Sequence, residues 1–162
     1  MARDRRVQLV LSIFDQAFGG ASWHGTPLGG ALRGVSLGQA LWRPGRGRHN
    51  IWELVLHTAY WKNAVRRRLT KDDRVAFPRA GANFPGLPPR PTAAQWKRDV
   101  AVLKREHALL RRAIARVAPA RLGRRVWQSR WNTAATVVGI ASHDLYHAGQ
   151  IQLLKRLQRG AK

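Results

Sequence analysis

The sequence predicts an all-α fold, a four-helix bundle forming a single domain over residues 1–162. Four long segments repeat apolar residues at steps of three and four, the spacing of one helix face. No stretch shows the strict apolar/polar alternation of a half-buried strand. Helix-start and helix-stop residues bound the four segments. At 162 residues, 44% of them hydrophobic, the chain is long and apolar enough for one core. It carries no internal repeat.

The first segment, about residues 4–18, sets Leu9, Val10, Ile13, Phe14 and Ala17 at helical spacing, and Gly19-Gly20 stops it. Residues 21–49 are glycine-rich and irregular, with a short apolar helix near Leu28–Leu32, then the stretch Leu37–Trp42 before Pro44-Gly45. The second segment opens on Asn50 with Glu53 three residues later, a capping-box pattern, and runs to about Leu69. Leu54, His57, Thr58, Trp61 and Val65 share its face. Residues 70–91 hold five of the eight prolines and read as a long loop anchored by Phe77-Pro78 and Phe84-Pro85. Thr92 and Gln95 cap the third segment, whose Trp96, Val100, Leu103, His107, Leu110, Ile114 and Val117 form a bundle seam until Pro119. A basic connection, 119–132, leads to the fourth segment at about 133–158. There Val137, Ile140, Leu145, Ile151, Leu154 and Leu157 recur, with Gly160 as the stop.

The absence of cysteine excludes disulfides, thiolate zinc sites and a cysteine nucleophile, so histidine and carboxylate are the available metal ligands. Met1-Ala2-Arg3-Asp4-Arg5-Arg6 leads into an amphipathic pattern rather than a signal-peptide apolar block. No apolar run approaches the roughly 18 residues that span a bilayer. A soluble cytoplasmic protein with no membrane partner is the expectation. The formal net charge is +22. Lys97/Arg98, Lys104/Arg105 and Arg111/Arg112 recur seven apart and draw a basic stripe along one solvated face. Such a stripe is a footprint for nucleic acid or another polyanion. It is also what the solvated helix faces of an arginine-rich chain look like. No recognition-helix or RNA-binding aromatic signature accompanies it, and nucleic acid is the less favoured partner.

The chemistry concentrates in His143-Asp144-Leu145-Tyr146-His147. Histidines four apart stack on one helix face, here the inward face of Ile140, Gln150, Ile151 and Leu154. Alone, an inward His-x-x-x-His is more often a pair of satisfied core residues than a metal site. His57 lies on the apolar face of the second segment and is a third candidate. Buried neutral imidazoles without partners are costly, and one ion shared by three satisfies them all. His107 competes from the third segment and reads as a core histidine bonded to a neighbour. His24 and His49 fall in irregular segments and read as structural or exposed.

Ser22-Trp23-His24-Gly25-Thr26-Pro27, then Asn50-Ile51-Trp52-Glu53-Leu54-Val55-Leu56-His57, then His143-Asp144-Leu145-Tyr146-His147-Ala148-Gly149-Gln150-Ile151 resemble the DinB/YfiT-like superfamily. The resemblance runs through the whole chain, and its last motif is the most specific. It implies an up-down-down-up bundle with a short extra helix and the long Pro-rich loop. By match to its motif positions it implies a divalent metal on His57, His143 and His147, usually nickel or zinc, and a homodimer. Relatives of that type include thiol-dependent transferases and proteins described as metal-dependent hydrolases.

Three neutral ligands leave an ion's charge uncompensated, so it can activate a water toward an ester or amide, or a thiol toward an electrophile. The expected function is therefore a metal-dependent transferase or hydrolase with a small-molecule substrate, an anionic one being compatible with the basic charge, and a low-molecular-weight thiol as the candidate co-substrate. Asp144 follows the first histidine where zinc peptidases place a general base, but its carboxylate is one methylene shorter than that of Glu. A carboxylate supporting the ligands from behind, or a surface ion pair, is the competing role. Gln150, nearly one turn past His147, is placed to orient a ligand or a bound water. Tyr60 and Tyr146 read as packing, with a phenol for the substrate as the second role. Trp23, Trp52, Trp61 and Trp131 read mainly as core. The alternatives are a non-enzymatic basic bundle that binds polyanions and a metal-free structural or regulatory bundle.

Overall fold

Main-chain hydrogen bonding follows the capping signals closely. The structure, a computed structural model, describes residues 4–74 and 76–160. Met1, Ala2 and Arg3 of the N-terminal stretch considered above lie outside the described residues. The helices are α1 (Arg5–Phe18), α2 (Leu28–Ala31), α3 (Leu37–Leu41), α4 (Ile51–Thr70), α5 (Ala93–Ala115) and α6 (Thr133–Gly160). No β-strand occurs among the described residues, and one isolated bridge joins Arg125 to Asn132. Nor is any described helix long and apolar enough to cross a membrane. Capping boxes start α4 at Asn50/Glu53 and α5 at Thr92/Gln95, as expected. There are two short helices where one was expected. Ser36 and Gln39 form a third capping box that starts α3, and Gly34 at φ 71° turns the chain between α2 and α3.

The order of contacts along the helices fixes their directions. Trp52 early in α4 donates to Asp99 early in α5, whereas Asn63 and Arg66 meet Glu106 further along both. These two helices therefore run parallel, which is what the long 71–92 connection permits. His57, Lys62 and Val65 of α4 meet successively earlier residues of α6, namely His147, Asp144 and Ile140, so α6 runs antiparallel to α4. Asp15 pairs with Arg111 and Phe18 stacks on His107, so α1 opposes α5. The four long helices run up, down, down and up.

Two apolar clusters fill the bundle. One gathers Leu28, Ala40, Ile51, Trp52, Val55, Leu103, Ile151 and Leu154 at the end covered by α2 and α3. The other gathers Val7, Leu11, Phe14, Val65, Leu110, Ile114, Val137 and Ile140 at the opposite end. Each valine, leucine, isoleucine or phenylalanine among them, fully buried, stabilises the fold by about 1.5–3 kcal/mol before entropy is counted. His57, Thr58, Lys62, Asn63, Glu106, His107, Asp144 and His147 are also buried, and they form a polar layer between the clusters.

Several side chains depart from the sequence expectation. On α1 the inward face is Val7, Val10, Leu11, Phe14 and Ala17, while Leu9 and Ile13 face solvent. The apolar residues of α1 cover more than one face, and periodicity alone does not choose between them. Leu157 is also exposed, because only part of the last turns of α6 is covered. Trp23 is 98% exposed and Trp131 56%, not core. Both stand in connections, where no helical period predicts a direction. His107 is buried as expected, but Nδ1 has no hydrogen-bond partner, and the ring is stacked on Phe14 at 4.5 Å and Phe18 at 3.8 Å.

Burial, reinforced by the charges of Lys62 and Arg111, pushes His107 down from its ordinary 6.5 to about 3. The unfolded chain therefore takes up that proton first, so this contribution to stability is complete above pH about 6.5 and is lost as pH falls toward 3. Its full slope is about 1.4 kcal/mol per pH unit. In urea unfolding at pH 7.5 to 5, His107→Leu should lose stability with acidification more slowly than the wild type. Equal slopes would contradict a neutral, buried His107.

Candidate metal centre

Helical spacing and the α4/α6 contact bring three imidazoles together. His143 and His147 lie one turn apart on α6, and His57 approaches from α4. Nε2 of His143 is 3.0 Å from Nε2 of His57 and 3.1 Å from Nε2 of His147. The ligand atoms of all three lie within 4.8 Å of one another, and His57 and His147 are buried while His143 is half-buried.

The outer nitrogens set the tautomers. Nδ1 of His57 donates to the backbone carbonyl of Asn83 at 2.7 Å, and Nδ1 of His147 donates to Oε1 of Gln150 at 2.7 Å. Each of these neutral rings then carries a lone pair, not a proton, on the Nε2 that faces His143. His143 can offer one N–H to one of them only. If Nε2 carries that proton, its Nδ1, buried and without a hydrogen-bond partner, is left as an orphaned acceptor. Protonating the cluster is no remedy at neutral pH. Burial, with repulsion from the other two imidazoles and Lys62, pushes His143 down to about 3. Burial pushes His147 down to about 4 against the favourable Gln150 bond, and it lowers His57 against the Asn83 carbonyl. A cation between the three rings would accept all three lone pairs. The two Nε2 separations of 3.0 and 3.1 Å are short enough for neighbouring donors to share one ion. The three histidines can therefore hold a divalent metal.

The support comes from Asn83, which no sequence signal singled out, and from Phe84, expected only as a loop anchor. Asn83 sits in the Pro-rich loop at φ 62°, a left-handed conformation that asparagine tolerates. Besides its carbonyl bond to His57, its side chain accepts from Nε1 of Trp61 at 2.9 Å. Phe84 stacks on His57 at 4.1 Å and on His49 at 3.9 Å. An asparagine flanked by Gly81 and Pro85 is a turn signal; that its carbonyl meets a histidine depends on the route of the loop.

The remaining candidates are placed as follows. Gln150 holds His147. Asp144 is fully buried, and its Oδ2 accepts from Nζ of Lys62, also fully buried, at 2.5 Å. Burial pushes the Lys62 ammonium down and the Asp144 carboxyl up, and each partner's charge opposes the other's shift. Nζ of Lys62 also lies 4.8 Å from the centroid of Phe14 and 5.2 Å from that of Phe18. Tyr146 is 65% exposed, with its ring edge-on to His147 at 5.0 Å. Tyr60 packs edge-on against Trp61 and Phe77. Glu53 serves the α4 cap and accepts from Arg43 through both oxygens. His24 is exposed and borders a separate groove.

A family model described as DinB superfamily matches residues 27–151. Comparison with curated proteins and with solved structures gives no match.

Lys62→Met would leave the Asp144 carboxyl buried without its cation and should destabilise the fold by about 3–5 kcal/mol. The double variant Lys62→Met/Asp144→Leu should recover most of that loss. Guanidinium unfolding of these variants and of Asp144→Leu alone checks this, and additive losses would show that the pair is not coupled.

Proposed function

The chain belongs to the DinB superfamily, and from that premise we propose that His57, His143 and His147 hold one divalent metal ion in a metal-dependent enzyme that activates a thiol or a water. The observation that carries the reading is the convergence of three Nε2 atoms, two of them stripped of protons by bonds at Nδ1. Nickel or zinc is the expected metal; three imidazoles suit either. Bound there, the ion supplies Lewis acidity that lowers the pKa of a water or thiol. The protein's part is orientation. Asn83 and Gln150 hold the His57 and His147 rings so that their lone pairs meet, Phe84 and Trp61 cover the site, and Lys62 with Asp144 keeps α4 and α6 at matching levels. Transfer of a thiol to an electrophile and hydrolysis of an ester or amide are the two reactions this arrangement suits. In this reading Asp144 acts through its pair with Lys62 and not as a general base.

A second reading, a basic bundle that binds nucleic acid or another polyanion, is favoured by one observation: Lys97, Arg98, Lys104, Arg105, Arg111 and Arg112 are all exposed along α5. The two readings separate in one set of samples. Elemental analysis of untagged protein should find close to one transition metal per chain in the wild type and little in His57→Ala or His143→Ala, with any salt-sensitive nucleic-acid binding unchanged. Full occupancy in both variants would sink the proposed site.

A further inference from the structure

The imidazole of His143 has a second side. It forms part of the wall of a cleft of about 590 Å³, together with Trp61, Val65, Arg68, Trp131 and Ile140. The volume suits a small organic molecule. We propose that this cleft is the substrate pocket of the histidine site and that it takes an amphipathic anion, a flat apolar body bearing one carboxylate or similar acidic group. The inference rests on the three-histidine metal reading for its chemistry, though not for its binding.

The walls supply the apolar half of the specificity. Trp61, Val65 and Ile140 line the cleft from α4 and α6, and Trp131 stands at it from the 122–132 connection. Trp61 already gives its N–H to Asn83, so what it offers the cleft is ring surface. Trp131 is a large exposed aromatic, and the guanidinium of Arg130 lies 4.8 Å from its ring centroid.

Arg68 supplies the polar half. Among the described residues its side chain has no ion pair or hydrogen bond, and its guanidinium carbon sits 6.0 Å from the Trp61 ring centroid. Among the described residues no carboxylate lines the cleft. Seven of the chain's eight carboxylates (Asp4, Asp15, Glu53, Asp72, Asp99, Glu106 and Asp144) are already in ion pairs with other residues. A planar cation free of anionic partners, beside aromatic rings and away from acids, is suited to bidentate recognition of an oxyanion. The Trp61 ring also lies 6.5 Å from that of His143. One indole thus neighbours both the imidazole and the guanidinium, so an apolar body lying on it has both polar groups at hand. A larger cleft of about 800 Å³ near Phe18, Gly29 and Lys155 includes none of the three histidines.

Equilibrium dialysis with 2-naphthoate and its uncharged counterpart 2-naphthamide tests the proposal, with metal content measured in every sample. Wild type should prefer the naphthoate by about tenfold, the scale of one charge-assisted contact. Arg68→Gln should bind both probes at the naphthamide level while keeping its metal. Arg112→Gln, which has the same net charge but alters α5, should keep the preference, and Trp131→Ala should weaken both probes. A preference that survives Arg68→Gln, or no preference in the wild type, would overturn the proposal. So would a preference lost on metal removal but kept in Arg68→Gln, which would put the carboxylate on the ion. A wild type without metal that still shows the Arg68-dependent preference contradicts the metal reading and leaves the pocket standing.

Discussion

The buried pair of Lys62 and Asp144 sets the register on which the rest of the structure depends. Both side chains are fully buried, and they join α4 to α6 in the middle of the bundle. His143 is the residue before Asp144, and His57 lies five residues before Lys62. A one-residue slip of α6 would rotate its side chains by about 100°. It would part the ion pair and turn the imidazoles away together. Such a pair adds little net stability over a well-packed apolar one, because desolvation offsets most of the attraction. What it contributes is selectivity, since any arrangement that separates the two charges leaves them buried and alone. The rings of Phe14 and Phe18 beneath the ammonium tie α1 into the same arrangement.

On that register the site is assembled from opposite kinds of structure. The two α6 histidines come from a rigid helix, and the third ligand is steadied by a loop. Asn83 and Phe84 reach His57 only because the parallel α4 and α5 require a long crossover between them, and that crossover passes over the histidine. The same topology leaves Trp61 bonded to Asn83 on one side and facing the cleft on the other. Fold, ligand orientation and pocket wall are thus joined through one loop residue.

The helices and the inward direction of all three histidines were legible in the sequence, since capping boxes and three-four spacing are local signals. The site's supports were less so. Lys62 stands four residues after Thr58, at a buried position of the α4 period, and a lysine there could have been read as a buried charge in need of a partner. Asp144 could have been recognised as that partner only once α4 and α6 were aligned. Phe84 was legible as a loop anchor, but its stacking on His57 and the Asn83 carbonyl bond were not, because loop contacts depend on the route of the chain and not on its period. The same limit explains Trp23 and Trp131, which are aromatic and exposed. His107 shows another limit: periodicity buried it correctly, but its partners are aromatic faces and not the hydrogen bond that a buried imidazole leads one to expect.

The central claim is that three imidazole nitrogens converge on one ion. X-ray absorption spectroscopy of the metal-loaded protein tests it most directly. The account predicts an inner shell containing three imidazole nitrogens at about 2.0–2.1 Å, with the multiple-scattering pattern of histidine rings. A shell of oxygen donors alone, or one with a single imidazole, would contradict it.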